Sequence, residues 1–152
     1  MEFLNRLFST KRKNIGFEDI QFILREKNTD YILINTLSTL EQGCLIRGTV
    51  PYQTEEMVIN RCIENNRSNP IILYGRHSCD ESVDKKYRQL YSLGFDKVYI
   101  YSGGLFEWLL LQDIYGTVQF PTTGTCKDPL NYRPKQTFVP KSSVVSLSTR
   151  RL

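Results

Sequence analysis

The residues with the most chemical potential form one short run, Gly75-Arg76-His77-Ser78-Cys79-Asp80. Cys79 supplies a thiol, Arg76 and His77 supply positive charge or a proton acceptor, and Asp80 supplies a carboxylate. The run follows four apolar residues, Ile71 to Tyr74, and precedes an amphipathic stretch. It is therefore expected to join a buried strand to the N-terminus of a helix. Free backbone N–H groups and the helix dipole make such a junction favourable for an anion or a thiolate. Arg76 and His77 would favour a thiolate at Cys79, whereas Asp80, Glu81 and Asp84 crowd it with negative charge. A Cys-x5-Arg phosphatase signature is absent, because the sixth residue after Cys79 is Lys85. Ser78 with Glu81 fits a capping box that would satisfy two amides of the helix start. His77 reads as a polar loop residue rather than a base.

The other cysteines, Cys44, Cys62 and Cys126, form no CxxC pair, and the single histidine leaves little for a zinc site. Three of the four cysteines lie in or beside apolar runs, as buried free thiols do. Four cysteines could make two disulfides, but this placement favours free thiols; the expectation is a reducing intracellular compartment, no metal and no cofactor. The first residues, Met1 to Asn14, carry too short an apolar run for a signal peptide, and the charges follow it rather than precede it. No stretch is long enough to span a membrane.

The elements that would position this loop are legible from periodicity. Phe17, Ile20, Ile23 and Leu24 repeat at helical spacing, and Lys27-Asn28-Thr29 closes that helix. Tyr31–Ile34, Ile71–Tyr74 and Val98–Tyr101 are short apolar runs without polar alternation, the pattern of strands buried on both faces. A helix over Thr54–Ile63 has Thr54 as its expected N-cap, with Glu55 and Glu56 at the positive end of the dipole. Val83, Tyr87, Leu90 and Tyr91 form the inner face of the helix after the loop, Lys85, Lys86 and Arg88 its outer face, and Gly94 ends it. Gly103-Gly104 is expected to make a tight turn with φ > 0 before a helix over about residues 105–113. Strands alternating with helices over short connections predict an α/β fold, a central parallel sheet with helices on both faces.

The chain has 152 residues, enough for one domain with a substantial core. Its net charge of +4 is too modest and too dispersed for a nucleic-acid partner. Tyr87, Tyr91, Tyr99, Tyr101, Phe106 and Trp108 fall on periodic inner faces, which assigns them to the core and not to a base-stacking surface. Three regions are expected: an N-terminal amphipathic and basic extension over 1–14, a domain over 15–118, and a Pro/Thr/Ser-rich extension over 119–152 with a mobile end. Phe3, Leu4, Leu7 and Phe8 share one side of the first region, which suits packing on the domain or a weak contact with a membrane surface.

Several of these residues together resemble the rhodanese-like superfamily. Asp30-Tyr31-Ile32-Leu33-Ile34-Asn35 and Cys44-Leu45-Ile46-Arg47-Gly48-Thr49-Val50 are similar to its first half. Leu93-Gly94-Phe95, the strand Val98–Tyr101, Gly103-Gly104 and Trp108 four residues later are similar to its second half. The stretch from Leu105 to Thr123 resembles rhodanese-like proteins encoded by large DNA viruses. The resemblance implies that the loop after Tyr74 is the active-site loop and that Gly75 stands where the family carries its catalytic cysteine. It also places Asp80 where the family has a basic residue, and Asn35 and Leu37 where it often has Asp and Arg. The reading that follows is a non-catalytic binding or regulatory module, contacting a protein partner or a small anion at the loop edge. The competing reading is a sulfurtransferase or thiol-redox enzyme using Cys79. The implied location is intracellular, in the host cytoplasm or the virion if the protein is viral.

Overall fold

Four short segments of extended chain lie side by side as a parallel sheet in the order β1-β4-β3-β2. In the computed structural model they are β1 (Asn14–Ile15), β2 (Ile32–Asn35), β3 (Ile71–Tyr74) and β4 (Val98–Tyr101). Residues 12–26, 30–126 and 128–140 are described by the structure. Register is set by side-chain alternation. Leu33, Ile72, Tyr74 and Tyr101 point to one face, while Ile34, Ile71, Leu73, Val98 and Ile100 point to the other. Both sets are buried, which is why these strands read as continuous apolar runs.

Helices cover both faces. On the first lie α1 (Phe17–Arg25) and α4 (Gly104–Tyr115), through Ile20, Leu105, Trp108 and Leu109. On the second lie α2 (Tyr52–Asn65) and α3 (Glu81–Ser92), through Ile59, Cys62, Val83 and Leu90. The expected α/β class, parallel sheet and two-sided helical cover are all present. Among the described residues no helix is long and apolar enough to cross a membrane.

Local departures have local causes. Tyr31 stays outside β2 and is exposed, and the strand runs one residue further to Asn35. The helix expected from Thr54 begins at Tyr52 behind Pro51, whose fixed φ suits a helix start. Thr54 is thus inside its first turn, and its hydroxyl bonds to the Pro51 carbonyl at 3.1 Å instead of capping. Of the glycine pair, only Gly104 takes a positive φ, at 66°. β1 was not apparent in the sequence, because two residues carry no periodic signal. The expected amphipathic side of Phe3, Leu4, Leu7 and Phe8 lies outside the described residues, as does the Lys27–Thr29 helix end. The far C-terminal stretch from residue 141 lies outside them too.

The cysteine expectation needs correction. Cys44 and Cys126 are not free thiols; they form a disulfide across 82 residues, with Cα atoms 5.7 Å apart. Tertiary folding brings them together, so neither neighbouring sequence nor spacing betrays the pair. Cys62 is free and buried, and Cys79 is free and exposed.

Packing also continues beyond Gly116. Phe120 is fully buried against Trp108, with ring centroids 4.9 Å apart. The Trp108 indole N–H donates to the Pro121 carbonyl at 3.2 Å, and Thr122 forms an antiparallel bridge with Ile46. A 3-10 turn, Pro129–Tyr132, then lies against α4, started by Asp128, whose side chain accepts from the Leu130 amide.

Candidate functional site

Three loops leave the carboxyl ends of β2, β3 and β4 and meet at one edge of the sheet, where open α/β sheets bind ligands. The loop after β3 holds Gly75 to Asp80. The loop after β2 holds Thr36 and a 3-10 turn, Thr39–Glu41. The loop after β4 is the Ser102-Gly103-Gly104 turn into α4.

Backbone contacts hold the central loop from both sides. The amides of Leu105 and Phe106 donate to the carbonyls of Gly75 and Arg76 at 2.9 and 2.8 Å. Gly104 permits that approach, since a Cβ there would lie 2.9 Å from both the Gly75 carbonyl oxygen and the His77 nitrogen. On the other side the Thr36 amide donates to the Tyr74 carbonyl at 2.9 Å, and the Thr36 and Ser82 hydroxyls are 2.8 Å apart. Asn35, buried at the end of β2, is paired through its side-chain amide with Gln42. Below the loop, the buried Tyr74 hydroxyl contacts Thr49 at 2.7 Å and accepts from the Ile46 amide at 3.2 Å. Burial pushes that phenol well above its ordinary pKa, despite these hydrogen bonds, so it stays protonated.

The central feature is the Asp80 carboxylate, which turns back into the loop. It accepts from the Arg76 amide at 2.9 Å, the Ser82 amide at 3.0 Å and the Ser82 hydroxyl at 2.6 Å. It is the N-cap of α3. The capping box expected of Ser78 and Glu81 is therefore not formed. Asp80 lies one residue before the helix and reaches the N2 amide directly, while Ser78 is exposed with its hydroxyl 3.8 Å from the Cys79 sulfur. The carboxylate also occupies the space above Gly75. A Cβ on that glycine would lie 2.5 Å from Asp80 Oδ2 and 2.6 Å from Val83 Cγ2.

Partial burial acts to raise the Asp80 pKa, but the hydrogen bonds from Arg76 and Ser82, aided by nearby His77, outweigh it and hold the carboxyl below its ordinary value. This carboxylate thus contributes stability that is complete above the unfolded pKa of about 3.9 and is lost as pH falls through the lower folded value. Asp80→Asn is expected to flatten the acid side of the stability curve. Denaturation midpoints measured from pH 6 to pH 2 check this: equal acid dependence in both proteins would contradict it.

The remaining loop side chains are differently disposed. Arg76 forms an ion pair with Glu41, donates to the Asn131 carbonyl and lies over the Tyr132 ring at 5.4 Å. His77 Nδ1 accepts from the Cys79 amide at 3.1 Å. Cys79 is exposed, four positions from Gly75 and outside the group of amides that Asp80 occupies. The structure thus brings Gly75, Arg76 and Asp80 together and leaves Ser78 and Cys79 at the rim. Sequence reasoning missed Glu41, Asn131 and Tyr132, which reach Arg76 from 35 to 56 residues away and leave no local trace. Among the described residues no three His, Cys, Asp or Glu side chains are grouped as metal ligands.

A parallel sheet with helices on both faces and a strand–loop–helix at its carboxyl edge defines a domain class, and the family comparison supplies it. The rhodanese-like domain model matches residues 25–111, and the chain belongs to that family. Solved structures agree at the level of fold. The Alr3790 protein of Anabaena sp. is 20% identical with a TM-score of 0.52, covering 90% of each chain. The BH2092 protein of Bacillus halodurans is 15% identical with a TM-score of 0.58, covering 88% of this chain and 89% of its own. The single domain sulfurtransferase RDL2 of Saccharomyces cerevisiae is 13% identical with a TM-score of 0.54, covering 70% of this chain and 96% of its own. No curated protein matches the sequence.

Proposed function

We propose that this chain is a non-catalytic binding or regulatory member of the rhodanese-like family, presenting its loop edge to a protein partner. The observation that carries the reading is Asp80. Its carboxylate takes the Arg76 and Ser82 amides and the space above Gly75, the position the family resemblance assigns to a catalytic cysteine. A cradle filled by the chain's own anion has neither a nucleophile nor room for an anionic sulfur donor. Because Arg76 is already engaged by Glu41, Asn131 and Tyr132, a small anion is also the weaker of the two partner classes. Nucleic acid and membrane-spanning roles are not part of this reading, and the first fourteen residues would add a weak contact with a membrane surface.

A second reading rests on Cys79, whose exposed thiol is free and stands next to the same loop. In it, the thiolate would attack the sulfane sulfur of thiosulfate, releasing sulfite and leaving a persulfide, which cyanide would remove as thiocyanate. The two separate cleanly. Purified protein is incubated with thiosulfate or polysulfide and cyanide, thiocyanate is measured, and cysteine modification is mapped by mass spectrometry. The binding module predicts no thiocyanate above the protein-free rate; sustained production that is lost in Cys79→Ser would establish the enzyme instead.

The stretch Leu105–Thr123 resembles rhodanese-like proteins of large DNA viruses, and on that ground we place the module in such a virus as a virion or host-interaction protein. The Cys44–Cys126 disulfide supports the virion over the reducing host cytoplasm, since disulfides persist where thiol reductants are scarce.

A further inference from the structure

We propose that the Cys44–Cys126 disulfide is a redox latch that holds the Pro129–Tyr132 turn over the loop edge and, when reduced, uncovers Arg76. The latch ties together the two segments that grip this arginine. Cys44 stands three residues after Glu41, the ion-pair partner of Arg76. Cys126 stands shortly before Asn131 and Tyr132, its hydrogen-bond and ring partners. One covalent bond therefore fixes both halves of the clasp.

The segment divides at about residue 124. Upstream, Phe120 is buried, Pro121 and Phe120 accept from Trp108 and Gln112, and the Thr123 amide donates to the Leu45 carbonyl at 2.8 Å. That part holds without the disulfide. Downstream, Asp128, Leu130, Asn131 and the residues from 133 to 140 are exposed and none is fully buried; only Cys126, Pro129 and Tyr132 are half-buried, so less apolar area fixes the chain there than at Phe120. A cross-link removes chain entropy from the open state, and its loss favours opening where other contacts are fewest.

Cys44 is buried and Cys126 is half-buried, so a reductant reaches the bond from the Cys126 side. A dithiol attacks one sulfur through its thiolate and forms a mixed disulfide. Its second thiol then displaces the other cysteine. Two electrons and two protons pass from the dithiol to Cys44 and Cys126, and the reductant leaves as its own cyclic disulfide. Arg76 then keeps its Glu41 ion pair but loses the Asn131 and Tyr132 cover, so its uncovered face can meet an acidic group of a partner.

This deepens the binding-module reading and rests on it only for that last consequence, because the latch itself is observable without a partner. Hydrogen–deuterium exchange is measured by mass spectrometry on the full chain, oxidised and then treated with dithiothreitol, alongside untreated Cys126→Ser. Amides in 126–136 should exchange about tenfold faster or more after reduction and in the variant, while those in 117–124 stay protected. Equal exchange of 126–136 before and after dithiothreitol overturns the latch, as does recovery of four alkylatable thiols after oxidation with glutathione disulfide. Should Cys126→Ser fail to fold, the dithiothreitol comparison on the unaltered chain still decides. Failure here leaves the binding reading standing, and thiocyanate production would remove that reading without touching the latch.

Discussion

Trp108→Ala is expected to cost about 3–5 kcal/mol of folding stability, the largest effect of any single side-chain truncation considered for this chain. The indole is fully buried and joins three parts of the structure. It meets Tyr101 of β4 edge-on at 6.1 Å, meets Phe120 at 4.9 Å, and donates its N–H to Pro121. Truncation would leave a cavity among residues held by three separate elements, which cannot all relax into it. It would also take from the Pro121 carbonyl one of its two donors, leaving the Arg47 amide at 3.1 Å as the other. Because Phe120 and Pro121 begin the segment that runs on to the Arg76 clasp, local protection at 117–124 should fall as well. Urea denaturation with matched slopes is the check. A loss below about 1 kcal/mol would mean the indole is not the keystone between sheet, α4 and C-terminal segment.

Gly75→Cys alone is expected to give no thiosulfate:cyanide sulfurtransferase activity, and to destabilise the chain by about 1–3 kcal/mol through overpacking. The new Cβ would collide with the Asp80 carboxylate and with Val83, which belongs to the packed core beneath α3. Any thiolate formed there would face a carboxylate already holding the Arg76 and Ser82 amides. Two like charges about 4 Å apart at an effective dielectric of about 20 repel by about 4 kcal/mol. Relief therefore requires a second change at Asp80. Replacement by arginine would reverse the charge but remove the N-cap of α3, at a cost of about 1 kcal/mol. Gly75→Cys with Asp80→Ser removes the charge and keeps a capping oxygen, so it should exceed either single variant by about tenfold or more in thiocyanate formation, one decade being about 1.4 kcal/mol of transition-state energy. The Val83 contact persists in that double variant and should keep it a slow enzyme. Ready turnover by Gly75→Cys alone would show that Asp80 yields easily and does not guard the loop.

Periodicity alone made three of the four strands and the four helices legible; β1, two residues long, was not. Ile71–Tyr74 and Val98–Tyr101 are strands because apolar residues without alternation can be satisfied only by burial on both faces. Val83 and Leu90 mark a helix because their spacing puts them on one side. These are short-range properties, set by backbone geometry and side-chain type, and they are written into consecutive residues. The candidate site was legible only as a place. The polar loop between β3 and α3 stood out, but the direction in which Asp80 turns did not, since a carboxylate one residue before a helix can cap it or face solvent. Packing decided that: Gly75 leaves a space that the carboxylate enters, and the Arg76 and Ser82 amides complete its hydrogen bonds. The same holds for the clasp around Arg76 and for the Cys44–Cys126 bond. Each joins residues tens of positions apart, brought together by the return of the chain across the sheet edge, and no local pattern encodes a contact that depends on where distant segments cross.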